Sequence, residues 1–228
     1  MGKTPADGDY SVMHIKRLLT AIDDAIMPLR CAFCGTRTSA GEGPICGDCG
    51  DDLQRAASPP PPPASPLVRE IAPFTYAFPV DAAIKALKFR RRLYYAPALA
   101  ELACAALDEL PGDIDAILPV PLHWRRQLVR GFNQASEIAG PVAARLGVPL
   151  VRGVTRRRAT APQSGLDAHE RARNLRQAFH ARRRVEFAHV LIVDDVMTTG
   201  TTVRQLGKAV LSAGATRVSA LAVARAGP

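Results

Sequence analysis

The stretch from Val190 to Thr202 constrains the fold more than any other. Val190, Leu191, Ile192 and Val193 are followed by Asp194 and Asp195, then by Val196, Met197, Thr198, Thr199, Gly200, Thr201 and Thr202. Four consecutive apolar residues, three of them β-branched, describe a strand covered on both faces, because a strand with one wet face alternates. The two carboxylates close that strand at a polar site. Downstream, Val203, Leu206, Val210 and Leu211 recur at helical spacing, and Gly214 is placed to stop the helix. A buried strand that enters a helix through a Thr/Gly turn belongs in an α/β fold.

The turn therefore lies at a helix N-terminus, where free backbone N–H groups and the positive end of the helix dipole favour a phosphate. The hydroxyls of Thr198, Thr199, Thr201 and Thr202 add donors, and Gly200 permits a positive φ or close ligand approach. Ionised Asp194 and Asp195 only accept hydrogen bonds, which suits the adjacent hydroxyls of a ribose. A strand-to-helix turn with a capping Asp is the plainer reading. Position by position, however, the stretch resembles the phosphoribosyl pyrophosphate motif of type I phosphoribosyltransferases. That resemblance implies that Asp194 and Asp195 hold the ribose 2′ and 3′ hydroxyls, directly or through metal-bound water, and that Thr198, Thr199, Gly200, Thr201 and Thr202 wrap the 5′-phosphate.

With 228 residues the chain has room for one full domain and a small module. Its net charge of +9 calls for anionic partners, polyphosphate ligands or nucleic acid. No continuous apolar run has signal-peptide or transmembrane character, so a cytoplasmic protein without membrane insertion is expected. Ser11 to Pro28 reads as an amphipathic helix. Cys31, Cys34, Cys46 and Cys49 then form two C-x-x-C pairs around a short Gly-rich stretch. Two such knuckles complete a tetrahedron with no open position, which predicts a structural zinc ribbon. An iron–sulfur cluster or redox-active dithiols are the other chemistries for this spacing. The prolines within Ser58–Pro66 cannot join a sheet ladder and mark a semi-rigid linker. The organisation expected is thus an N-terminal helix and zinc-ribbon module over 1–57, a linker over 58–66 and the main domain over 67–228.

In the main domain, strands are expected at Phe74–Phe78, Ala116–Pro121, Val148–Val151 and Thr216–Ala224, and helices at Val80–Arg92, Tyr95–Leu110 and Asn133–Leu146. Alternation of this kind gives a mostly parallel sheet flanked by helices. Cys104 reads as core. The segment Leu122–Gln134 reads as a basic loop in which Arg125, Arg126 and Arg130 can counter phosphate charge. His123 in that loop is either a catalytic acid/base or a structural residue. The segment Arg156–Leu166, with Arg171 and Asn174 beyond it, reads as a mobile Arg-rich lid.

The four-cysteine module, Pro119-Val120-Pro121-Leu122-His123, Arg130-Gly131-Phe132-Asn133-Gln134, the spaced Gln163, Arg171, Asn174 and Phe179, and the phosphoribosyl motif occur in one order. Together they resemble the ComF/GntX family of bacterial phosphoribosyltransferase-like proteins, from Met27 to Ala224. The resemblance implies a type I phosphoribosyltransferase fold, a pyrophosphate loop at Pro119–Gln134 and a connection with DNA uptake. Relatives acting on 6-oxopurines carry an Asp three residues after the second acid. Here Thr198 stands there, so purine salvage loses support.

Two functions follow as expectations. The first is a glycosyltransferase that binds phosphoribosyl pyrophosphate with Mg²⁺, in which Asp194 and Asp195 hold the reacting sugar, Arg130 with Arg125 and Arg126 stabilises the leaving pyrophosphate, and the segment from Arg156 to Arg171 closes over the substrate. The second is a non-catalytic adaptor of DNA uptake that keeps the ligand site as a sensor and grips single-stranded DNA or a competence-machinery protein. Trp124, Tyr94 and Tyr95 are the main stacking candidates for that role.

Overall fold

A computed structural model describes residues 29–38, 41–156 and 178–227. The chain divides after Asp52 into two compact units. The expected N-terminal helix and the expected lid beyond Arg156, including Arg171, lie outside the described residues.

In the small unit an antiparallel bridge between Arg30 and Arg37 flanks the first cysteine pair. The turn closes with Gly35 N–H donating to the Cys31 carbonyl. Gly35 there has φ 76°, a left-handed conformation that disfavours a side chain. The second pair opens the short helix α1 (Gly47–Asp51), whose cap is Cys46.

The large unit is built on a parallel sheet. Its strands are β1 (Arg69–Ile71), β2 (Phe74–Thr75), β3 (Ala116–Pro119), β6 (His189–Met197) and β7 (Arg217–Arg225). The order is β1-β7-β6-β3, and β2 also pairs with β7, so β1 and β2 form one interrupted edge. Pro73, which has no N–H to give, sits at the interruption. Residues 53–57 hold to this unit: Arg55 bridges Phe74, and Ala56 N–H donates to the Pro73 carbonyl. A two-stranded antiparallel ribbon, β4 (Val154–Arg156) with β5 (Phe179–Ala181), stands apart from the sheet.

Both sheet faces are covered, as the apolar run of β6 requires. Val190 and Ile192 pack with Val203, Leu206 and Val210 of α6 (Thr201–Ser212) on one face. Leu191 and Val193, on the opposite face by strand alternation, are equally buried. That side carries α3 (Tyr95–Cys104), which packs on α5 (Gln134–Leu146). The helix α2 (Val80–Arg90) packs on α3 and ends at Arg91, which is left-handed and donates from Nη2 to the Val129 carbonyl at 2.6 Å.

Several elements differ from their expected form. The stretch 122–134, expected as a loop, holds the helix α4 (Trp124–Arg130), stopped by left-handed Gly131. The segment near Val148 makes only a bridge from Leu150 to Ile117. The helix expected to reach Leu110 stops at Cys104, and Leu107–Glu109 form a 3₁₀ turn. Cys104 is half-buried, and burial raises its thiol pKa, which keeps it protonated and inert.

Candidate functional site

The strand β6 runs past both carboxylates, which the sequence placed at its end. Its ladder with β7 continues through Met197, with Asp194 opposite Ala222 and Val196 opposite Ala224. The reason is the length of β7, whose own ladder groups persist to Arg225. The acids therefore stand on a rigid strand near its carboxyl end, and the bend at 198–200 follows directly.

Gly200 occupies that bend with φ 74° and caps α6. A Cβ there would lie 2.8 Å from Arg204 Nη2, so both conformation and space demand glycine. Arg204 is the brace of the turn. It pairs with Glu70 of β1 through Nε–Oε1 at 2.6 Å and Nη2–Oε2 at 2.7 Å, and donates from Nη1 to the Thr199 carbonyl at 2.8 Å. Glu70 is almost fully buried and also accepts from Ser65 Oγ. Within the bend the Thr199 and Thr201 hydroxyls lie 2.7 Å apart. Thr198 and Thr199 are exposed, while Thr201 and Thr202 are half-buried.

Asp195 is buried, at 3% exposure, and its Oδ1 accepts from Val196 N–H. Its Oδ2 meets Lys88 Nζ of α2 at 2.6 Å, a charge contact without an aligned hydrogen bond. Asp194 keeps some solvent contact, yet burial, followed by the adjacent Asp195 charge, pushes its pKa up to about 8, against a smaller pull from Lys88. The folded protein thus holds a proton that the unfolded chain releases near the ordinary value of 3.8. Stability from this proton is full below that value and is lost as pH rises toward about 8. The ligand-free Asp194→Asn variant should therefore melt roughly 4 °C above the wild type at pH 8, a gain of about 1–2 kcal/mol. The gain should vanish near pH 4, which paired thermal melts at the two pH values will check.

The arginines converge on the acids. Arg130, at the end of α4, interacts electrostatically with Asp195 and Arg126, donates to Gln134 Oε1, and stands over the Phe89 ring. Arg156, at the end of β4, interacts electrostatically with Arg126 and Asp194. Burial lowers the pKa of both guanidinium groups, the mark of cations held in a partly dry site. Arg125 is not part of this group: it is exposed and covers the face of Trp124 at 5.2 Å. His123 is buried and caps α4, with Nδ1 accepting from Arg125 N–H, which gives it a structural place. Asn133 fixes the other end of the segment by donating to the Val120 carbonyl and capping α5.

The sequence reading missed Lys88, Glu70, Arg204 and the contribution of Arg156 to the acid pair. Lys88 lies within the helix expected at Val80–Arg92, and nothing in its sequence context ties it to Asp195. Glu70 and Arg204 lie 134 residues apart, and no spacing rule connects them. Of the stacking candidates, Tyr94 and Tyr95 pack on each other at 4.1 Å, and Trp124 already carries Arg125.

The four cysteine sulfurs lie within 4.8 Å of one another. Cys34 Sγ and Cys46 Sγ are 3.7 Å apart, the edge expected for a tetrahedron with metal–sulfur bonds of about 2.3 Å and far beyond a disulfide of about 2.05 Å. The donor set and spacing fit a four-thiolate metal site.

Comparison with known proteins now adds to this geometry. Residues 133–227 match the phosphoribosyl transferase domain family. The DNA utilization protein YhgH of Escherichia coli is 37% identical over 214 residues, covering 86% of this chain and 89% of that one. The chain belongs to the ComF/GntX family. Competence protein F of Haemophilus influenzae, also similar, is 30% identical over 201 residues, covering 80% of this chain and 85% of that one. Among solved structures, a glutamine phosphoribosylpyrophosphate amidotransferase from B. subtilis is 22% identical with a TM-score of 0.42, over 60% of this chain and 30% of that one. The orotate phosphoribosyltransferase of Aeropyrum pernix is 18% identical with a TM-score of 0.34, over 60% and 76% of the two chains. As a ComF/GntX member, the chain combines a mostly parallel α/β sheet of the type I phosphoribosyltransferase kind with an N-terminal four-cysteine cluster. No helix among the described residues is long and apolar enough to cross a membrane.

Proposed function

We propose that this protein binds phosphoribosyl pyrophosphate with Mg²⁺ and transfers the phosphoribosyl group to an acceptor. The observation that carries the reading is the placement of Asp194 and Asp195 on β6 immediately before the Gly200 bend that opens α6, with Arg130 and Arg156 interacting with the two acids. The acids would take the ribose hydroxyls and the amide-rich bend the 5′-phosphate. Arg126, Arg130 and Arg156 would neutralise the departing pyrophosphate as the bond from the anomeric carbon breaks and the acceptor's bond forms. Mg²⁺ supplies charge neutralisation to the diphosphate when bound, and Asp194 and Asp195 are the residues nearest in chemistry to hold it. Lys88 balances Asp195 in the protein without ligand. Arg171 is proposed to join the phosphate contacts, as the family resemblance implies, and Arg125 to contribute charge at the rim. The catalytic domain is proposed to take in residues 67–228, with the expected module and linker before it, although residues 53–57 group with the large unit rather than with the module.

In this reading the four cysteines hold a structural zinc ion. The names of the relatives place those proteins in DNA utilization and competence, and we infer the same setting for this one, in the cytoplasm.

Calorimetric titration of phosphoribosyl pyrophosphate with Mg²⁺ tests the site. The Asp194→Asn/Asp195→Asn variant should bind about 30-fold more weakly, a loss of roughly 2 kcal/mol. Equal heats from variant and wild type would remove the carboxylate assignment. Pyrophosphate release across a panel of nucleobases and amines then separates a transferase from a sensor.

A further inference from the structure

The last turn of α2 and the residue after it touch the proposed site at three points. Lys88 Nζ reaches Asp195 Oδ2 at 2.6 Å, the Phe89 ring lies under the Arg130 guanidinium at 5.6 Å, and Arg91 Nη2 donates to the Val129 carbonyl at 2.6 Å. One short stretch thus contacts both the acid pair on β6 and the arginine-bearing helix α4.

Helix α4 needs such an outside hold. None of its side chains is buried, and Leu128 and Val129 stand largely in solvent, so apolar packing does not seat it. The His123 cap and the Gly131 stop fix where the helix begins and ends, but not how it leans toward Asp194 and Asp195. Val129 precedes Arg130, so the Arg91 bond grips α4 beside the guanidinium that interacts with Asp195. Its charged donor makes it a strong hydrogen bond.

The backbone of Arg91 carries a cost that points the same way. Its φ is 53°, and it is the one non-glycine residue at positive φ among the described residues. Helices α4 and α5 end in the same left-handed conformation on Gly131 and Gly147, where no side chain resists it. A glycine would end α2 with less strain, yet it would lack the arm to Val129. Strain of this kind persists where a functional arrangement requires it.

We propose that Arg91 is a positioning residue: it sets helix α4, and with it Arg126 and Arg130, against the acid pair, so that the pyrophosphate end of the substrate meets charges already in place. The role rests on the substrate reading given above and adds to it a residue that acts through α4.

Pyrophosphate with Mg²⁺ and ribose 5-phosphate, titrated separately into the full chain by calorimetry, probe the two ends of the site. Arg91→Gly should weaken pyrophosphate by at least about fivefold and leave ribose 5-phosphate within about twofold, because the bend and the acids keep their own supports. Its melting temperature should stay within about 3 °C of the wild type, since glycine suits the left-handed position. Trp124, the chain's one tryptophan, opens α4, and its emission anisotropy should drop in Arg91→Gly without any ligand as the helix loosens. Arg90→Gln removes an exposed charge one residue away and should leave pyrophosphate within about twofold.

The proposal is overturned by pyrophosphate binding that Arg91→Gly leaves intact, by an equal loss in Arg90→Gln, which would make the effect one of bulk charge, or by unchanged Trp124 anisotropy. Loss of both ligands together with the melting temperature would make Arg91 a residue of the fold and overturn it as well. Wild-type protein that binds neither ligand strikes the substrate reading itself, a result distinct from a wild type and a variant that bind both alike.

Discussion

Arg204→Ala should lower the melting temperature by roughly 6–15 °C, equivalent to about 3–4 kcal/mol for a chain of this size. The loss comes less from the missing attraction than from what remains. Glu70 is 2% exposed, and among the described residues its carboxylate keeps only Ser65 Oγ as a side-chain donor once the guanidinium is gone. A buried charge stripped of its partner is among the few causes of destabilisation this large. The diagnostic companion is Arg204→Met/Glu70→Leu. Removing both charges at once leaves none unpaired, so the double variant should recover most of the melting temperature. It should not recover ligand binding, because nothing then holds the Thr199 carbonyl that Arg204 Nη1 grips at 2.8 Å. A double variant as unstable as Arg204→Ala would show that the pair is not the source. Recovered binding of phosphoribosyl pyrophosphate would show that the brace does not shape the bend.

Purified protein should contain about one zinc ion per chain, and Cys49→Ser or a strong chelator should unfold the cysteine module while leaving the melting of the large unit. The binding free energy at stake is large, about 10–16 kcal/mol for structural zinc in comparable small modules. The thiols themselves show why the metal matters. Backbone N–H groups of Cys34, Cys46 and Phe33 overcome burial and hold Cys31 down to about 6, whereas burial and the neighbouring sulfurs push Cys49 well above the usual thiol range. Four thiolates within 4.8 Å of one another cannot coexist without a cation. Elemental analysis measures the metal, and thiol-reagent kinetics measure its protection: four slow thiols should become fast after chelation. A well-occupied preparation without zinc would refute the metal identity, and fast thiols before chelation would refute the site.

The parts of this protein that were legible in sequence are those governed by local periodicity. The run Val190–Val193 announced a doubly covered strand, and Val203, Leu206 and Val210 announced the helix after it, because burial imposes these repeats on neighbouring residues. The edge strand at Arg69–Ile71 escaped, since three residues give no period to read and its place is set by β7 from far along the chain. The helix at Trp124–Arg130 was hidden in a different way. None of its residues is buried, so it has no apolar stripe, and its ends are fixed by the His123 cap and by Gly131. At the site, the acids and the hydroxyl-rich bend were visible as chemistry in one string. The charges that answer them, Lys88, Arg130 and Arg156, come from three separate elements, and only folding brings them into range.

The position of β7 also governs how the protein can be made. It lies between β1 and β6, and both are synthesised before it, β1 by most of the chain. A ribosome that has emitted everything up to Ser212 has exposed the apolar strand β6 and the short strand β1, whose shared neighbour does not yet exist, and open strand edges of that kind invite pairing with other chains. Messages broken or stopped short of Arg217 should therefore yield aggregates rather than a smaller soluble domain, and chaperone dependence should concentrate in the last seconds of translation.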